Sequence, residues 1–478
     1  MNGIQIDISK CVGCNSCIKA CPAKDANVAS FNEAEQKMVI TIDDDKCIKC
    51  GACIDACTHD ARSYTDDTEA FFRALAAGEQ IQLIVAPAIQ NTFGTNWRQV
   101  VAWLRQKGVK GVYDVSFGAD ICTWAHLRYL EKHPDAKLIS QPCAAIVNYA
   151  LKQRPKLIDS LSPVHSPMLC TAVYIKKYLG LSGKIAALSP CIAKTDEFQQ
   201  TGLVNYNVTL KHLREYIAAH NIRLSDIRVS DTDPVFDGEP GFGGTLYPEP
   251  AGLRENLLAH VPGLSVINSE GVDKVYPELM QYMEADKSDL PQVFDVLNCE
   301  FGCNDGPGTG EDFRPFRVKK HMQQKAMKTI RRPKIKLRAG KDLRFKKFDR
   351  TLRLDDFTRS YDRSIYSKYY PSEKEIEAAY QHLRKTTPEK RRINCHSCGF
   401  ASCMDMAYAI ARGINVPENC RMYVMDTIED ERTRVSGVNH QVLTMTEDLL
   451  QLFRSLTQSI ENVRGEANAI NDIGIENS

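Results

Sequence analysis

Eighteen cysteines stand in this chain of 478 residues, and all but Cys122 and Cys170 fall in clusters or motifs that suit metal or cluster ligation. Cys11, Cys14, Cys17 and Cys21 form one C-x2-C-x2-C-x3-C run, ending in Pro22. Cys47, Cys50, Cys53 and Cys57 form a second, followed by Thr58. Cys143, Cys191, Cys299 and Cys303 lie in SQPCAAIVNY, SPCIAKTDE and NCEFGCNDG, the last pair as C-x3-C before a run with Gly306, Gly308 and Gly310. Cys395, Cys398, Cys403 and Cys420 follow as C-x2-C-x4-C-x16-C. Thiolates are soft ligands that select iron–sulfur clusters or zinc. Four thiols in one short run favour a cubane, because zinc sites usually pair two separated C-x2-C units.

The rest of the composition frames these sites. Lys plus Arg is 61 against Asp plus Glu 60, a net charge of +1, which argues against a general nucleic-acid or membrane-surface binder. No apolar run approaches the ~18 residues of a membrane span. The opening MNGIQIDISKC shows no signal-peptide pattern. Clustered thiols in such a chain should be reduced, so a cytoplasmic, metal-binding protein is expected. The apolar runs 81–89, 111–117, 184–191 and 292–299 read as strands, and TNWRQVVAWLRQKG (95–108) as a helix. Their alternation suggests an α/β domain, with sites gathered at the carboxyl ends of its strands.

The doubled run resembles bacterial two-cluster ferredoxins. That resemblance implies one 4Fe-4S cluster on Cys11, Cys14, Cys17 and Cys57, and another on Cys47, Cys50, Cys53 and Cys21. The three central segments resemble the signatures of iron-only (FeFe) hydrogenases, in the right order behind the right head. The likeness runs over residues 1–310. It implies that Cys143, Cys191, Cys299 and Cys303 bind a 4Fe-4S cubane, and that Cys303 bridges to a two-iron unit bearing CO, cyanide and a dithiolate amine, together the H-cluster. Lys194 matches the lysine that hydrogen-bonds a cyanide, and Ala86, Pro87 and Ala88 the loop against the diatomic ligands. The glycines near Cys303 are expected to let backbone approach this inorganic group.

Departures from the family matter. Catalytic members carry a proton-passing Cys where this chain has Pro142. Two glutamates of the same route are replaced by His126 and Tyr129, and a Met by Ser189, while Ser162 and Glu197 match its outer part. A proton route lacking its innermost carrier should turn over slowly. His165 is a further candidate carrier, with a satisfied core or loop histidine the simpler reading. Cys122 and Cys170 read as buried structural thiols.

The basic stretch 317–350 alternates apolar and basic residues in KIKLR and LRFKKF, which suggests exposed strands or a linker gripping a neighbour. The last cysteine group resembles the small iron–sulfur domain of corrinoid iron–sulfur proteins, with zinc as the open alternative. In the tail, Val435, Val438, Val442, Met445, Leu449, Leu452 and Leu456 keep 3-4 spacing. The stripe then steps to Ile460, Val463, Ala467 and Ile470. This reads as a two-stranded coiled coil that makes a homodimer, or else as a helix folded onto the protein's own body. It also resembles the signalling helices of chemotaxis-type receptors.

The expected fold is an α/β catalytic domain preceded by a bacterial-type 2x4Fe-4S ferredoxin domain of α+β type. A small α-helical 4Fe-4S domain and a C-terminal coiled-coil helix follow. The boundaries are 1–64 (ferredoxin-like), 65–316 (H-cluster domain), 317–385 (basic linker), 386–425 (small 4Fe-4S domain) and 426–478 (coiled coil). The expected function is a slow FeFe hydrogenase that splits H2 reversibly into protons and electrons, with a hydrogen-sensing role and ferredoxin or a signalling protein as partner. Two other readings stay open: a conventional ferredoxin-linked fermentative hydrogenase, or a non-catalytic hydrogenase-like protein without the two-iron unit.

Overall fold

The computed structural model describes residues 3–230, 235–310, 314–329, 343–364 and 369–476. The head contains β1 (Ile4–Ile6), β2 (Asn27–Asn32), β3 (Lys37–Ile42) and β4 (Arg62–Tyr64). β1 pairs with β4 and β2 with β3, both antiparallel. Short helices, Ser16–Ala20 and Ala52–Asp55, begin inside the two cysteine runs. Gly51 precedes the second at φ +88, and a Cβ there would sit 2.5 Å from Pro307 Cβ. The head therefore touches the central domain at a point where only glycine fits.

The central domain holds two parallel sheets. The strands β5 (Ile81–Val85), β6 (Gly111–Asp114), β7 (Leu138–Ile139), β8 (Lys184–Ser189), β9 (Tyr206–Thr209), β10 (Val266–Glu270) and β11 (Val293–Leu297) supply them. One sheet runs β6-β5-β8-β9 and the other β10-β11-β7. IQLIV of β5 and VFDVL of β11 are buried at every residue, the pattern of parallel strands covered on both faces. The strand expected over 111–117 stops at Asp114, whose side chain accepts from Ser116 N at 2.8 Å and starts the helix Val115–Lys132.

The basic stretch is helical where it is described. KIKLR lies outside the described residues, but LRFKKF belongs to the helix Leu343–Thr351 and is no strand. Its spacing explains why: Phe345, Phe348 and Leu352 recur at helical intervals and are buried. Phe348 meets Phe117 and Trp124 edge-on, at 5.7 and 6.1 Å. Of the helix's basic residues, Arg344 pairs with the buried Asp120 and Lys347 with Glu239 nearer the surface.

The cysteine-bearing C-terminal segment packs on the head. Asn15 Nδ2 donates to Asn419 Oδ1 at 2.8 Å and to Ser397 O at 3.1 Å. The residue after Cys420 opens a helix, Arg421–Glu476, of 56 residues. From residue 429 to 471 this helix is exposed on every side, so its apolar stripe does not lie on the protein's own body. Among the described residues, no helix is long and apolar enough to cross a membrane.

One close contact governs the central packing. A Cβ on Gly118, in the helix Val115–Lys132, would lie 2.1 Å from Thr171 Oγ1 and 2.3 Å from Pro167 O. Gly118→Ala should therefore cost about 1–3 kcal/mol through overpacking and lower the thermal unfolding midpoint. Gly263→Ala, where a Cβ meets nothing within 4 Å, should leave the midpoint unchanged.

Candidate functional site

Strand ends bring the central cysteines together. β7 is followed by Ser140, Gln141, Pro142 and Cys143, β8 by Pro190 and Cys191, and β11 by Asn298 and Cys299. All three turns lie at the carboxyl ends of parallel strands, where open α/β sheets place their sites. Burial pushes Cys303 up to about 12 and Cys191 up to about 11, with the facing Cys143 raising both further. Burial, then Cys143, Cys191 and Cys303, hold Cys299 well above its ordinary value. Cys191, Cys299 and Cys303, held up by burial and by their cysteine neighbours, fit a cationic metal core that would stabilise their thiolates, with Cys143 facing them.

Cys303, Lys194 and Tyr247 line a small cavity, about 60 Å³, otherwise walled by apolar groups including Ala86, Pro87, Ala88, Pro142 and Met168. Lys194 is buried, and its Nζ donates to Glu197 Oε2 at 2.6 Å. The same carboxylate oxygen accepts from Ser166 Oγ at 2.9 Å, and Arg359 Nη2 lies 3.6 Å from Oε1. Glu197 thus sits behind Lys194 and holds it. Ser189 does not line the cavity. Its hydroxyl accepts from Cys191 N and donates to Cys191 O, both at 3.1 Å, and so shapes the Cys191 turn.

Of the glycines after Cys303, Gly306 and Gly308 meet the Pro190 backbone and Gly310 meets the Arg214 side chain. A Cβ on Gly306 would fall 2.3 Å from Pro190 O. Gly308 N donates to that same carbonyl at 2.9 Å. The run ties the Cys303 loop to the Cys191 loop. His126 Nε2 lies 3.0 Å from Ser162 Oγ, while the Tyr129 ring packs at a tilt on His133.

The other cysteines form three further groups. Cys11, Cys14, Cys17 and Cys57 line one cavity with Arg62. Cys21, Cys47, Cys50 and Cys53 face one another, and burial pushes Cys21 up to about 12 and Cys53 up to about 11. Cys395, Cys398, Cys403 and Cys420 line a third cavity. Among the described residues, no group of three or more Cys, His, Asp or Glu is arranged to hold a single metal ion. Cys122 and Cys170 are fully buried, outside all four groups.

Several contacting residues carry no motif. Asn298 Nδ2 donates to Cys50 O at 3.2 Å and to Cys299 Sγ at 3.6 Å, spanning two cysteine groups. The Tyr276 hydroxyl donates to Asn298 Oδ1 at 2.7 Å. Buried Asp196 joins Lys49 at 2.5 Å and Lys152 at 2.9 Å across the junction of head and central domain. A polar residue beside a ligand cysteine is the only local signal, and it marks Asn298 alone.

A family profile for the iron-only hydrogenase large subunit, C-terminal domain, matches residues 79–307. A 4Fe-4S dicluster profile matches 10–61, and an Fe-S cluster profile 392–422. The periplasmic Fe hydrogenase large subunit of Nitratidesulfovibrio vulgaris is 28% identical over 285 residues, 53% of this chain and 66% of that protein. Iron hydrogenase 1 of Clostridium pasteurianum is 25% identical over 290 residues, 53% of this chain and 50% of that protein. The chain thus spans between half and two thirds of these relatives' lengths. A variant of the FeFe-hydrogenase HydA1 from Chlamydomonas reinhardtii superposes with a TM-score of 0.47 at 16% identity, covering 63% of this chain and 100% of that one. The chain is FeFe-hydrogenase-like, with an N-terminal 4Fe-4S domain and a C-terminal iron–sulfur domain.

His165 gives this site a pH dependence. It is buried beside Arg359 and Glu197, and its Nδ1 has no partner. Burial, helped by Arg359, lowers it from 6.5 to about 4. A depressed folded value means its contribution is present above pH 6.5 and lost as pH falls towards 4. Urea unfolding of wild type should weaken over that window by on the order of 2–3 kcal/mol more than that of His165→Gln.

Proposed function

We propose that this chain is an FeFe hydrogenase of low turnover that reversibly splits H2 into protons and electrons and serves in hydrogen sensing. The observation that carries this reading is the meeting of Cys143, Cys191, Cys299 and Cys303 beside an apolar cavity that contains Lys194 and is walled by Pro142. The four cysteines would hold a 4Fe-4S cubane, and Cys303 would also bridge to a two-iron unit. When bound, that unit supplies the heterolytic cleavage of H2.

The chain's own residues supply the surroundings. Lys194 would offer charged hydrogen bonds to an anionic ligand of the iron, and Glu197 fixes it through the 2.6 Å contact. Ala86, Pro87 and Met168 would exclude water. Pro142 has no titratable proton, so the His126–Ser162 contact ends short of the cavity and protons must cross by water or a longer hop. Low turnover suits a sensor more than a fermentative enzyme.

Electrons would pass between this centre and two head clusters, one on Cys11, Cys14, Cys17 and Cys57, the other on Cys47, Cys50, Cys53 and Cys21. A third cluster would sit on Cys395, Cys398, Cys403 and Cys420. The helix Arg421–Glu476 would form a homodimeric coiled coil that carries the redox state to a signalling partner. Its exposed seam from Val435 to Leu456 supports a second copy. Eighteen free thiols support a reducing compartment, the cytoplasm.

Matured protein should contain about 18 iron atoms, from four cubanes and one two-iron unit. Infrared bands of CO and cyanide on iron should be present and should change under H2. A count near 16 without those bands would mean a non-catalytic protein. Pro142→Cys should raise hydrogen evolution at least about tenfold, the lower range of general acid–base gains; equal rates would remove the case for a truncated proton route. Deleting residues 426–478 should convert a dimer to a monomer in light scattering, with iron content unchanged.

A further inference from the structure

We propose that Arg62 is a shared counter-charge that lets the two head clusters be reduced as a pair, one electron each, at closely matched potentials. This rests on the reading of the head as a two-cluster module. Arg62 opens β4 and is 7% exposed. Its Nη2 donates to Cys17 Sγ at 3.2 Å and to Ile40 O at 3.0 Å. The guanidinium also acts electrostatically on the Cys53 thiol, opposing the rise that burial imposes on it. Cys17 belongs to one cysteine group and Cys53 to the other, so a single buried cation bonds one group and lies within electrostatic reach of the other.

Two features show that this charge is directed at the groups and is not part of an ordinary ion pair. Among the described residues no carboxylate pairs with Arg62. Its Nη1 is buried without a hydrogen-bond partner, and Arg62 lines the cavity with Cys11, Cys14, Cys17 and Cys57. A buried guanidinium with an unmet donor requires an anion, and the groups in reach are cysteine sulfurs. Lys24 makes the contrast. It also lies between two groups, facing Cys21 and Cys398, but Asp405 answers part of its charge and it is only half-buried.

The consequence is electrostatic. A cubane on four thiolates carries net negative charge, and each added electron makes it more negative. The first electron on one cluster would oppose the second electron on its neighbour, strongly so in a low-dielectric interior. Arg62 between them lowers both costs. One H2 releases two electrons and two protons, and two clusters that each accept one electron match that number. The protons leave from the central site and do not enter the head.

The test is an electron-paramagnetic-resonance redox titration of the matured holoprotein with a chemical reductant, for wild type, Arg62→Gln and Arg62→Lys. In wild type both head clusters should titrate in one narrow window. In Arg62→Gln both midpoints should move down and separate, with iron content unchanged. Arg62→Lys, which keeps the charge and loses the fork, should stay near wild type. Unchanged midpoints in an iron-replete Arg62→Gln protein would overturn the proposal, as would a shift of one cluster alone. Should Arg62→Gln fail to assemble, an Arg62→Lys protein whose two midpoints separate would overturn it, and one whose midpoints stay matched would support it. A wild-type head that holds no iron would overturn the two-cluster reading itself, which the silent-variant result would leave standing.

Discussion

Buried thiols that crowd one another are the constraint on which this molecule turns. Cys21 and Cys303 are each pushed up to about 12, by burial first and by neighbouring cysteines next. A protein core does not gather such groups for packing, because each opposes the ionisation of the next. An iron core reverses the sign: the same proximity then becomes ligation. The turns after β7, β8 and β11, and the close approach of Gly51 to Pro307, serve this gathering of sulfur.

Cations and amides fill the spaces between the groups. Arg62 bonds one head group within electrostatic reach of the other, Lys24 faces a head group and the C-terminal group, Asn298 joins a head group to the central one, and Lys194 stands at the central cavity. Asp196, gripping Lys49 and Lys152, locks head to central domain through a buried network. Losing one member of such a network leaves an unpaired buried charge, so the alignment of head and centre is mechanically firm.

The cysteine groups and the strand-to-turn segments that carry them were legible in the sequence because their spacing is local. The parallel strands were legible because β5 and β11 are buried on both faces and read as continuous apolar runs. Arg62, Tyr276 and Asp196 were not, because their roles depend on contacts made across long stretches of chain. The helix Leu343–Thr351 was misread for a related reason. In LRFKKF the two-residue and helical periods overlap over so few residues that only Trp124 and Phe117, more than 200 positions away, decide between them. For Gly306 and Gly308 the need for space is local, but what approaches them, the Pro190 backbone, comes from more than 100 positions away.

The long C-terminal helix begins at the residue after Cys420, and Arg421 itself lines the cavity of that cysteine group. Its 56 residues make a rod of roughly 84 Å at the usual rise per residue. Such a rod is a lever arm. A tilt of about 5° at its root would carry the far tip through roughly 7 Å, larger than the pitch of a helical turn. Motions at the fulcrum too small to disturb the sulfurs around it would be read at the distant end as a change of position.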